Sequence, residues 1–189
     1  AGNVVTSAPT SGATFTVDNT APVIASHPGV SAEATSASGA TVTYTAPDAT
    51  DNVDATAPAT CIPASGSSFS MGNTTVTCNK TDAAGNTAIS TTFIVNVHDT
   101  TPPIISLNGT TPDIEINHSY TELGATATDT VDGTFAATPT GSVNTSVVGS
   151  YDITYSATDA AGNHAIVVTR TVKVVDSIAA AFDAISATL

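Results

Sequence analysis

The stretch VGSYDITYSATDAAGN, residues 148–163, contains a strand and the turn that ends it. Tyr151, Ile153, Tyr155 and Ala157 alternate with Asp152, Thr154 and Ser156. A period of two sends one set to each face of a strand, and here one face is apolar. TDAAGN follows, with Gly162 where a tight turn between strands needs positive φ. The same six residues stand at 81–86, directly after TVTCNK, so Gly85 occupies the matching position. The segment after that copy, TTFIVNVH at 91–98, again alternates, with Phe93, Val95 and Val97 on one side. Strands with one polar face predict sheets that cover a core from one side, as in a β-sandwich.

Other features fall into the same register as the two turns. DNTAP at 18–22 returns as DTTPP at 99–103 and, decayed, as DSIAA at 176–180. ATDNVD at 49–54 returns as ATDTVD at 127–132. Each period therefore reads as a linker Asp, a Pro-marked start, strands, an Asp-rich loop, more strands, the TDAAGN turn and a long final strand. Residues 18–98 and 99–175 are the two complete periods. Residues 1–17 read as the last strand of a preceding module, and residues 176–189 as the start of a following one. A segment cut from a longer tandem array is the expectation.

Composition agrees with an all-β chain. Thr and Val, stiff at χ1, are abundant, while Leu, Lys, Arg and Gln are scarce. Only three residues are Lys or Arg against 16 Asp or Glu, giving a formal net charge of -13. Phosphate recognition needs clustered cations, so nucleic acid is excluded as a partner, and so are anionic membrane surfaces. No apolar run approaches the roughly 20 residues of a membrane-spanning helix, so no direct membrane insertion is expected of this segment. Divalent cations are the natural counter-charge. A hydrophobic fraction of 41% in alternating runs is enough for a folded core despite the acidity.

Cys61 and Cys78 lack zinc-ligand spacing and both fall in segments that read as strands. A disulfide is expected of two thiols in an exported Thr-rich module, the alternative being two buried free thiols. N-x-S/T sequons begin at Asn73, Asn79, Asn108, Asn117 and Asn144 and permit glycosylation without arguing for it. The four histidines share no metal spacing, and no nucleophile elbow, catalytic triad or carboxylate in an apolar stretch marks an enzyme.

These motifs carry a resemblance. Residues 18–98, through PDATDNVD, a cysteine-containing centre and TVTCNKTDAAGN, resemble a HYR (hyalin repeat) module. Residues 99–175, through IISLNG, GATATDTVDG, VGSYDITYSATDAAGN and TRTVKVV, resemble the bacterial Ig-like module of surface proteins. Both imply tandem immunoglobulin-like β-sandwiches. Gly149 to Ile153 is similar to the tyrosine corner of Ig domains, whereas the first module has Thr74 and Val76 at the matching place. The cysteines, on what the resemblance makes strands C and F, depart from the usual B to F bridge. The acidity with so few cations resembles archaeal and marine prokaryotic S-layer proteins.

In such a sandwich the loop between strands B and C, the loop between F and G and the incoming linker share one pole. The resemblance therefore gathers Asp18, Asp51, Asp54 and Asp82 in the first module and Asp99, Asp129, Asp132 and Asp159 in the second. Asn86 and Asn163 would add a side-chain oxygen each. Ca²⁺ is the expected cofactor, because it takes six to eight oxygens at flexible geometry, with Mg²⁺ second. Asp at a turn also caps backbone N–H groups with no metal at all, and that reading stays open beside the first. The function these features lead to is a non-enzymatic, calcium-stiffened part of an extracellular surface layer, with neighbouring copies of the same protein as lattice partners. An adhesin stalk or a spacer in a secreted enzyme are the alternatives.

Overall fold

A computed structural model describes residues 17–178. The expected partial modules at the two ends fall largely on residues 1–16 and 179–189, outside the described residues; Ser177 and Ile178 are not in a strand. The chain divides into two compact units between His98 and Asp99.

Among the described residues the first unit has nine strands: β1 (Val23–Ile24), β2 (Val30–Glu33), β3 (Ala40–Val42), β4 (Asp48–Thr50), β5 (Ala57–Pro58), β6 (Thr60–Ile62), β7 (Ser67–Phe69), β8 (Gly72–Asn79) and β9 (Thr91–His98). They form a four-stranded sheet ordered β2-β9-β8-β6, a three-stranded sheet β1-β4-β5 and a β3-β7 pair. The second unit has β10 (Ile104–Leu107), β11 (Ile114–Glu115), β12 (Ala125–Asp129), β13 (Gly133–Ala136), β14 (Thr138–Thr140), β15 (Gly149–Ser156) and β16 (Val168–Val175). Its sheets, β11-β16-β15-β14 and β10-β12-β13, repeat the plan. In each unit the short second strand runs parallel to the last one, and the remaining pairings are antiparallel. The result is the expected all-β sandwich.

Alternation places the cores. In β9, Phe93, Val95 and Val97 are buried while Ile94 faces out; in β15, Ile153 and Tyr155 are buried. Much of the second core is small: Ala125, Ala127, Ala137, Ala157 and Ala165 pack around Ile105, Ile153, Tyr155 and Val172. The Tyr151 hydroxyl donates to the Val147 carbonyl at 2.8 Å, a tyrosine corner.

The disulfide is present, joining Cys61 to Cys78. The two residues are directly paired between β6 and β8, so the bridge lies within one sheet. Closing a loop of 17 residues contributes about 3 kcal/mol on the loop-entropy estimate.

The Asp-rich loops are placed differently from a loop that passes between sheets. ATDNVD is a hairpin turn joining β4 to β5 in one sheet, and ATDTVD likewise joins β12 to β13. The chain changes sheets a few residues later. Ala59 N–H donates to Pro47 and Ala137 N–H to Ala125, after which β6 and β14 pair into the four-stranded sheets. This detour lets each Asp loop fold back beside the β8–β9 or β15–β16 turn instead of passing it.

One polar network in the second core has no counterpart in the expectations. Arg170 is 4% exposed on the inward register of β16 with Val172 and Val174. Its Nε lies 3.0 Å from Glu122, and its other nitrogens donate to Thr111 Oγ1 at 2.7 Å and to the Asn108 and Gly124 carbonyls at 2.8 and 3.0 Å. Tyr120 and Tyr155 both donate hydroxyl hydrogen bonds to Glu122.

Candidate metal centre

Each TDAAGN turn is folded by its own aspartate. The Asp82 N–H donates to the Asn86 carbonyl at 3.0 Å and the Gly85 N–H to the Asp82 carbonyl at 3.3 Å; Gly85 has φ 93°. The second turn repeats this at 3.1 and 3.3 Å, with φ 95° at Gly162. The carboxylates are held as firmly. Asp82 Oδ1 accepts from the Asn86 N–H at 2.7 Å and Oδ2 from the Asn86 side-chain amide at 2.8 Å. Asp159 has the same two partners in Asn163 at the same distances.

The other loop is built with equal economy. Asp51 Oδ1 accepts from the Val53 and Asp54 N–H groups at 2.8 and 3.2 Å, and Asp129 Oδ1 from Val131 and Asp132 at 2.7 and 3.0 Å. This is Asx-type capping, and it leaves the second oxygen of each carboxylate available. The incoming chain is tied in by the amide that holds the turn. Asn86 Nδ2 reaches the Asp18 carbonyl at 3.4 Å, and Asn163 Nδ2 reaches that of Asp99 at 3.2 Å.

The outcome is two trios. One carboxylate oxygen from each of Asp18, Asp51 and Asp82 lies within 4.8 Å of the others, and Asp99, Asp129 and Asp159 repeat the arrangement. The second trio is buried, each member being 7% exposed, and the first is half-buried. Asp51 Oδ2 and Asp129 Oδ2 are shut off from solvent and accept no hydrogen bond.

Asp82 and Asp159 are held below the ordinary carboxylate range. Burial alone would raise both, but donations from the Asn86 or Asn163 side chain and from three backbone N–H groups of the turn outweigh it. Like charges within 4.8 Å of one another repel, and less surrounding water means less screening of that repulsion. A divalent cation would reverse that term. With oxygen donors alone and no Cys or His in either trio, the set suits a hard ion, and the flexible geometry of Ca²⁺ suits carboxylates already fixed by hydrogen bonds.

The remaining four expected ligands occupy other places. Asp54 Oδ2 accepts from the Ala83 N–H at 2.8 Å, and Asp132 Oδ2 from Ala160 at 2.6 Å. They lie outside the trios and clasp one loop to the other. Asn86 and Asn163 turn their amide N–H groups toward the carboxylates, which makes them brackets and not oxygen donors in this arrangement. The spacing DxxD could not separate a ligand from a clasp, since both need a carboxylate at the mouth of a turn.

All five sequon asparagines are exposed. Among the described residues no helix is long and apolar enough to cross a membrane.

The comparisons with known proteins divide along the same lines. Residues 17–97 match the family model of the HYR domain. Residues 105–174 match that of the bacterial surface protein, Ig-like domain. The chain is also similar to hyalin of Strongylocentrotus purpuratus, with 34% identity over 174 residues, 86% of this chain. It spans 14% of the length of that relative.

Proposed function

We propose that this chain is a pair of non-enzymatic structural modules from an extracellular surface coat of the S-layer type, each module holding one calcium ion. The observation that carries the reading is the buried trio Asp99, Asp129 and Asp159, in which Asp129 Oδ2 is sealed from solvent with no hydrogen-bond donor to meet it. An ion there would bind the first residue of the second unit to two loops 30 and more positions further along that unit. The segment joining consecutive modules would lose freely rotating bonds, and an array of them would bend less. Matches to the HYR domain and to a bacterial surface-protein domain support placement outside the cell. A formal charge of -13 would gather cations around the coat, and these would also bridge neighbouring copies of the same protein in a lattice.

The match of residues 17–97 to the HYR domain also supports a second reading, an adhesion-type repeat in a stalk. The two share the ion sites and differ in partner. A lattice of like subunits would disperse on chelation, whereas a stalk would lose reach without losing a neighbour.

The experiment is a thermal melt of the chain with and without millimolar Ca²⁺. An ion that binds only the native form raises the midpoint in proportion to the logarithm of its concentration. A raised midpoint that Asp129→Asn lowers supports the site, and an unchanged midpoint leaves turn capping as the whole role of these aspartates.

A further inference from the structure

The two trios share their hydrogen bonds but not their surroundings. In the second unit all three carboxylates are buried. In the first they are half-buried, and a cavity of ≈ 350 Å³ reaches Asp51, Asp54 and Asp82 from one side. Lys80 lines the same cavity, with its Nζ donating to the Pro58 carbonyl at 3.2 Å. It is one of three Lys or Arg residues in the chain, and among the described residues it makes no ion pair. The matching residue of the second unit is Ala157, which is buried and neutral.

Resting on the calcium reading above, we infer that the two sites are unequal by construction, with Lys80 as the residue that sets the difference. The second site is closed: its ion is held by protein oxygens in a poorly screened setting and fills first. The first site is open: its ion keeps water on the side facing the cavity and fills only at higher calcium. Two physical effects act in the same direction. Solvent in the cavity raises the effective dielectric and weakens the attraction of Asp51 and Asp82 for a cation. Lys80 lines the same cavity, and its positive charge repels a second one there, an effect that added salt screens. Ca²⁺ accepts mixed protein and water ligands, so the open site remains a site, but a weaker and faster-exchanging one. Asp51 Oδ2, buried and without a donor, keeps that site oriented toward an ion even though the cavity opens beside it. The modules would then respond to rising calcium in two steps, the second unit at lower concentration and the first at higher.

The test uses the whole chain with Tb³⁺ and Ca²⁺ as probes. Luminescence lifetimes in H₂O and D₂O, at one and two equivalents of Tb³⁺, count the waters left on each ion. A Ca²⁺ titration by calorimetry gives the affinities. The expected result is two classes, with the weaker class carrying more bound water. Asp51→Asn removes the weak class and Asp129→Asn the tight one. Lys80→Ala tightens the weak class by roughly three- to tenfold at low ionic strength, and the gain narrows as salt is added. Equal affinities, equal water counts, or a weak class indifferent to Lys80→Ala overturn the inequality while leaving calcium binding in place. Failure of both probes to bind at all overturns the calcium reading together with it.

Discussion

Asn163 donates one side-chain hydrogen bond to the Asp159 carboxylate at 2.8 Å and another to the Asp99 carbonyl at 3.2 Å, bridging the final turn of the second unit to its first residue. One amide thus sets the turn and fastens the first residue of the unit. Replacing Asn163 with Ala removes both bonds, one of them to a charged group, and is expected to cost the second unit about 2 kcal/mol. Differential scanning calorimetry with and without calcium checks it. The variant should melt earlier in both conditions, and a melting point equal to wild type would remove the bracket role.

Arg170 carries the second prediction. Arg170→Leu leaves Glu122 without its cation and strips donors from the Asn108 and Gly124 carbonyls. Removing the buried guanidinium from this half-buried carboxylate and from two carbonyls is expected to cost about 2 kcal/mol or more. Urea denaturation should show the loss in the second unit, with the transition of the first unit unmoved.

The same network sets a pH dependence at both ends of the scale. Burial opposes ionisation of Glu122, but hydrogen bonds from Tyr120, Tyr155 and Gly124 and the charge of Arg170 together hold its carboxyl below the ordinary value of 4.5. A depressed acid stabilises the fold above its unfolded value, and that contribution is lost as pH falls through the folded one. Tyr120 goes the other way, pushed up to about 12 by burial and then by its bond to Glu122. Its contribution is complete below the ordinary value of 10.0 and lost as pH rises toward about 12. The midpoint of the second unit should therefore fall below about pH 4.5 and again above about pH 10. Glu122→Gln should shrink the acid limb, leaving the part that belongs to Asp159.

The Cys61–Cys78 bridge is expected to contribute about 3 kcal/mol to the first unit by loop closure. A Cys61→Ala, Cys78→Ala double variant, compared with the oxidised protein by thermal melting, gives the value. Loss of the bridge should leave the second unit's transition where it was.

Much of this arrangement is legible in the chain because the chain says it twice. Phe93, Val95 and Val97, and Ile153 and Tyr155, show their burial by period alone. Asp18, Asp51 and Asp82 are far apart in sequence, and only their return as Asp99, Asp129 and Asp159 singles them out. What the repeat could not show is the direction of a side chain. Asp54 and Asp132 recur as faithfully as the trio members, yet they point to the Ala83 and Ala160 N–H groups. Periodicity also hides the change of sheet at Ala59 and Ala137, since a strand that leaves one sheet for another keeps its alternation. Arg170 was detectable. It stands two residues before Val172 and four before Val174 in VTRTVKVV, on the face the pattern assigns to the core, where a charge demands a partner.

Every side chain of the first trio and its brackets falls between Asp18 and Asn86, and every one of the second between Asp99 and Asn163. Among the described residues, neither cage draws a carboxylate from beyond its own stretch. Copying or deleting one such stretch of the gene would therefore add or subtract a complete cage, never half of one. The length of such a protein is free to drift over generations without leaving orphaned carboxylates behind.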